Sequence, residues 1–177
     1  MSPDLDKWLP DATLRVKHRR ESTASAERLW SAASSVPVGD TGLLGRLVRW
    51  RIPGLERGIT FDALFREPPF TVLAEGEHSL VSGLVGRIWT LRRDYPELSS
   101  PEEFRDWSKR GTARVVFANW VEEAPRGAVL ASEARVQAVG NQGRVGVAAV
   151  RPLVRGFHNL VGSEGIAAAV RRAERGA

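Results

Sequence analysis

Residues 112–139 read TARVVFANWVEEAPRGAVLASEARVQAV. Ala124-Pro125-Arg126-Gly127 is a turn signal between two stretches of alternating character. In the first, Ala113, Val115 and Phe117 form the apolar alternate set; in the second, Leu130, Ser132, Ala134 and Val136 form the less polar one. Side chains on a strand alternate between faces, so a slip of one residue would mix the sets. Placing both sets on one face therefore fixes an antiparallel hairpin of Thr112–Val121 with Ala128–Val139. The opposite face carries Arg114, Trp120, Glu133 and Arg135, with the charged residues expected outward and paired across the strands.

After the hairpin the apolar period becomes helical. Val147, Val150, Leu153, Val154, Phe157, Leu160 and Val161 form one stripe. Pro152 removes a backbone hydrogen bond and predicts a kink. Gly162-Ser163-Glu164-Gly165 predicts a break, with Ser163 capping a second segment, Ile166–Arg175.

Upstream, Pro10-Asp11 closes an arm over residues 1–12. Leu14, Val16 and His18 alternate with Arg15, Lys17 and Arg19, which predicts a strand with His18 inward. Ser25 stands at an N-cap with Glu27 in the first turn of a helix over 26–35. Asp40 or Thr41 is expected to cap a second helix with Leu43, Leu44, Leu47, Val48 and Trp50 as its buried stripe, ended by Pro53-Gly54. Thr60–Arg66, Phe70–Glu77 and Ser79–Leu91 are expected as strands, with Gly83 and Gly86 marking a bulge or a close backbone approach in the last. Ser100-Pro101-Glu102-Glu103 combines an N-cap, a proline at the first helical position and a glutamate that completes a capping box. Phe104 and Trp107 share a face of that helix and are expected to close one end of the fold.

The order is one strand, two short helices, about six antiparallel strands and one long C-terminal helix, an α+β pattern. Such elements bury their apolar faces if a curved antiparallel sheet wraps around the long helix, the helix-grip arrangement. Residues 13–175 would form this single domain behind the arm. A cavity, apolar with a few placed polar groups, is expected between sheet and helix.

The chain resembles the START-like helix-grip superfamily, which includes birch-pollen-allergen-like proteins, lipid-transfer domains and polyketide cyclases. More narrowly it is similar to a bacterial branch of that superfamily. The resemblance is carried by His18-Arg19-Arg20 followed by Ala26-Glu27-Arg28-Leu29-Trp30, by Gly83-Leu84-Val85-Gly86-Arg87-Ile88-Trp89, by Ser132-Glu133-Ala134-Arg135-Val136, and by Arg151-Pro152 with Phe157-His158. After Arg151-Pro152 the tail departs from that branch, being glycine-rich and about a turn longer, which leaves the register of the last helix open. The resemblance implies hydrophobic ligand binding, and the superfamily also hosts cyclases, dehydratases, hydrolases and carriers, so it does not fix chemistry.

Composition narrows the chemistry further. A 42 % apolar and 27 % charged content is that of a folded globular chain. The absence of cysteine excludes thiolate metal sites, disulfides and thiol nucleophiles. His18, His78 and His158 come from distant segments without metal-ligand spacing, so no metal is expected. No serine-nucleophile elbow, phosphate loop or dinucleotide fingerprint occurs, and no cofactor is expected. Glu75 and Glu77 share a strand face, where an exposed pair and an acid–base pair are equally compatible.

Arg87 follows two glycines; a bulge there would re-aim it into the cavity to hold a polar group. His18 and His158 are its candidate polar partners, with Trp89, Phe117 and Phe157 as apolar lining. The functional expectation is a protein that binds a small hydrophobic or amphipathic molecule. A cyclase or dehydratase using the same cavity is the alternative.

A third possibility is a basic surface for nucleic acid or anionic membrane. Six arginines against two glutamates after Gly140 supply four of the five net positive charges, though no aromatic residues interleave for base stacking. The start lacks the basic and apolar regions of a signal peptide, so a cytoplasmic protein is expected.

Overall fold

A computed structural model describes residues 2–51, 56, 58–90 and 95–175; for Leu47, Arg49, Arg51, Phe157 and His158 it describes the backbone alone. The strands are β1 (Leu14–Ser22), β2 (Thr71–Gly76), β3 (Ser79–Gly86), β4 (Thr112–Ala124) and β5 (Gly127–Val139). They form one antiparallel, curved open sheet in the order β1-β5-β4-β3-β2. The helices are α1 (Ala26–Ser34), α2 (Gly42–Arg51), α3 (Phe61–Leu64), α4 (Pro101–Asp106), α5 (Gly140–Leu160) and α6 (Ala167–Arg175). A π-helical turn, Val161–Ile166, joins α5 to α6. This is the helix-grip architecture: an α+β fold with two short helices after the first strand and the long C-terminal helix lying against β1, β4 and β5.

The β4–β5 register places Val115 opposite Val136, Phe117 opposite Ala134 and Val121 opposite Leu130, so the two less polar sets share the helix-facing side. On the other side Arg135 and Glu133 are not in solvent: they are only 8 % and 9 % exposed. The arm covers them. Leu5, Trp8 and Leu9 are buried there with Phe104, Val116, Ala118 and Trp120.

Arg135 ties the arm down, donating from Nη1 to Asp6 Oδ1 (2.6 Å) and to the Leu9 carbonyl (3.3 Å). Its Nε donates to Glu133 Oε1 along the same strand at 2.6 Å, and Glu133 also pairs across the strands with Lys17 of β1 at 3.8 Å. Arg114 donates to the Arg105 carbonyl and to Gln137 Oε1, both at 2.6 Å, and burial draws its guanidinium below the ordinary value.

Helix α4 starts at the expected cap: Ser100 Oγ accepts from Glu103 N–H (3.3 Å), while the Glu103 carboxylate reaches one residue further back than a capping box requires and accepts from Ser99 N–H (2.7 Å). It sits on the outer face of the sheet rather than at an end of the cavity. There Phe104 presses against Gly83, where an added Cβ would come within 2.7 Å of the ring. The close-approach reading of Gly83 therefore applies, and the bulge lies elsewhere, in β2 between Val72 and Ala74.

Two further expectations are corrected. Thr60–Arg66 is not a strand: the Thr60 hydroxyl accepts from Ala63 N–H (3.2 Å) and caps α3, so the sheet has five strands. The last helix does not restart at Ser163; the π-helical turn carries it through, and Ser163 is exposed. Three residues of the expected apolar stripes also differ, since Leu43, Trp50 and Leu153 are exposed.

Candidate functional site

A cavity of about 270 Å³ lies between the inner face of the sheet and the helices. Its floor is built on the alternate sets that fixed the hairpin, Val115 and Phe117 on β4 with Leu130, Ser132 and Ala134 on β5, extended along β4 by Asn119. The C-terminal helix closes it from above through Val154, Val161, Ile166 and Ala169. Trp30 from α1 and Trp50 from α2 reach it from the side. Trp50 and Leu153 line the space while remaining 60 % and 61 % exposed, which places them where it meets solvent.

One wall is an aromatic cluster. Phe65 stands edge-on to Phe70 (5.1 Å between centroids), and Phe70 edge-on to Phe117 (5.7 Å). Edge-to-face contacts of this kind suit the ring quadrupoles and hold the wall in shape.

Among the described residues, five polar ones interrupt the apolar lining: Ser34, Asp62, Tyr95, Asn119 and Ser132. Asp62 is already engaged, accepting from Arg66 Nε (2.7 Å) and Nη2 (3.3 Å), while Arg66 also donates to Glu75 at 2.6 and 3.0 Å. The Arg66 guanidinium, bonded to Glu75 and Asp62, is held above its ordinary value, and it holds the Glu75 carboxyl below its own. Glu75 is thus an ion-pair partner, and Glu77 stands in the following turn, outside β2. Asn119 and Ser132 are direct partners across β4 and β5, and neither side chain hydrogen-bonds to a described residue.

The residues singled out from the sequence are not all brought together. Phe117 lines the cavity. His18 is on the inner face of β1 opposite Ser132, with its Nε2 out of contact with solvent, but it lies beside the cavity rather than in its lining. Arg87 is exposed and outside the lining: Gly86 ends β3 with a φ of 141°, no bulge forms there, and the chain turns so that Thr90 donates to the Arg87 carbonyl. Trp89 occupies the space beside Gly146 of α5 and also lies outside the lining. Phe157 and His158 are on α5, but their side chains lie outside the described residues.

Trp30, Trp50, Tyr95 and Asn119 complete the site beyond that set. Asn119 had a sequence signal, because it continues the inward alternation of Ala113, Val115 and Phe117 with a polar residue.

No protein-family model matches the chain, and no curated protein matches it. Solved structures resemble it at low identity. A protein from Mesorhizobium loti is 15 % identical, with 85 % of this chain and 95 % of that chain covered and a TM-score of 0.35. A protein from Thermus thermophilus is 12 % identical, with coverage of 93 % and 99 % and a TM-score of 0.36. The Zhui aromatase/cyclase from Streptomyces sp. R1128 is 14 % identical, with coverage of 92 % and 94 % and a TM-score of 0.34. At these values the likeness does not indicate what this chain binds. Among the described residues no group of three His, Asp or Glu side chains is placed to hold a metal ion, and no helix is long and apolar enough to cross a membrane.

Proposed function

We propose that this chain binds a small, predominantly apolar molecule in the cavity between sheet and C-terminal helix, as a binding or carrier member of the START-like helix-grip proteins. The observation that supports this is the cavity itself: about 270 Å³ of space, almost wholly apolar, walled by residues of two packed clusters of the core. Removing ~200 Å² of ligand apolar surface from water contributes roughly 5 kcal/mol before the costs of association.

Acid–base catalysis needs two titratable groups converging on one substrate. Among the described lining residues the titratable ones are Asp62 and Tyr95, and Asp62 is engaged by Arg66. Binding is therefore favoured over a cyclase or dehydratase reaction.

The test is titration with a panel of fluorescent polyaromatic and fatty-acyl probes, against wild type and Ala134→Phe, which fills the floor. Saturable binding lost in the variant supports the proposal; no saturable binding by wild type overturns it.

A further inference from the structure

The floor of the cavity carries a pair of polar side chains. Asn119 and Ser132 stand directly opposite each other on β4 and β5, and both line the cavity. Residues so paired have Cβ atoms about 4.5–5.5 Å apart, close enough for one ligand oxygen to reach both side chains. The carboxamide offers two donors and an acceptor, and the hydroxyl offers one donor and an acceptor.

Neither side chain hydrogen-bonds to a described residue, although Ser132 is only 6 % exposed. Along β4 and β5 the neighbours on the same side are apolar, Phe117 and Val121 on β4 and Leu130 and Ala134 on β5, while on β1 His18 stands directly opposite Ser132. Unused hydrogen-bonding capacity in apolar surroundings is costly, and a ligand that satisfies it gains both the bond and the relief.

Resting on the reading of the cavity as a ligand site, we infer that Asn119 and Ser132 together bind the single oxygen of an uncharged ligand, a hydroxyl or carbonyl on an apolar body, and that the site discriminates against carboxylates. The charge argument is independent of the hydrogen bonds. Among the described lining residues there is no cationic side chain, and the one anionic side chain is Asp62. Among the described residues of that floor, a carboxylate would exchange its hydration for the neutral donors of Asn119 and Ser132 alone, whereas a neutral oxygen has less hydration to lose. The exposed position of Arg87 agrees with this, since it offers no counter-ion inside.

Isothermal titration calorimetry at pH 7 on the full chain tests it with naphthalene, 2-naphthol and 2-naphthoate, which share one ring system. In wild type, 2-naphthol binds roughly tenfold tighter than naphthalene, as one or two net hydrogen bonds allow, and 2-naphthoate binds most weakly. In Asn119→Leu and Ser132→Ala the naphthol preference falls toward parity. Naphthalene, which has no oxygen, reports that the cavity persists in each variant.

The inference is overturned if 2-naphthoate binds as tightly as 2-naphthol, or if the naphthol preference survives both substitutions. In either case naphthalene binding leaves the proposed cavity function intact. If none of the three binds wild type, the inference and the proposed function fall together.

Discussion

Glu164 shows how one side chain can join two helices. Its carboxylate accepts from the backbone N–H groups of Leu44 (2.9 Å) and Leu43 (3.4 Å), satisfying donors in the first turn of α2 and placing a negative charge at the positive end of that helix. Thr41, expected as the local cap, turns its hydroxyl back to the Val38 carbonyl (2.7 Å). Glu164→Ala is expected to cost about 1 kcal/mol, the usual value of a lost cap, and Glu164→Gln less, as read from urea midpoints at constant slope. Asp6 gives a prediction in pH. The hydrogen bond from Arg135, then its charge, hold the Asp6 carboxyl below its ordinary value of 3.8. A group depressed in the folded state stabilises it above its unfolded value and loses that contribution as pH falls through the folded one. The contribution of this carboxyl to the clasp between arm and sheet is therefore whole above 3.8 and is released as pH falls through the lower, folded-state value. Trp8 fluorescence followed from neutral pH to pH ~2 should report that release, and Asp6→Asn should remove its dependence on this carboxyl.

Among the elements, the hairpin was legible because one face of a strand pair meets a core and the other does not, so a period of two survives in the residue types. The α4 cap was legible because its partners are all local. Thr60–Arg66 misleads for the opposite reason: seven residues are too few to separate the two periods, and the decision rests on one hydroxyl, that of Thr60, which caps α3. The arm carries Leu5, Trp8 and Leu9 at helical spacing, but over a single turn, too short a stretch to mark an element, and their seat is made by residues far along the chain. Arg87 depended on a bulge that β3 does not contain, since the space beside Gly83 is taken by Phe104 and Leu73. The element-scale prediction follows from that contact. Gly83→Val should push α4 off the outer face and cost ~1–3 kcal/mol, as overpacking does, seen as a lower urea midpoint.

For the molecule as a whole, the sheet is covered on both sides, by helices around a cavity on one and by the arm with α4 on the other. The second cover is solid: Trp8 is 4 % exposed and meets Phe104 edge-on at 6.4 Å. Trp8→Ala should therefore cost ~3–5 kcal/mol, measured by denaturant unfolding, and should uncover Trp120 to quenching by acrylamide. The same cover has a consequence for biosynthesis. Asp6 and Arg135 are 129 positions apart, so the greasy residues around Asp6 leave the ribosome long before the strand that shelters them exists. Until translation has passed Val139 that seat is incomplete, and the nascent chain must carry them unsheltered while the intervening stretch is made.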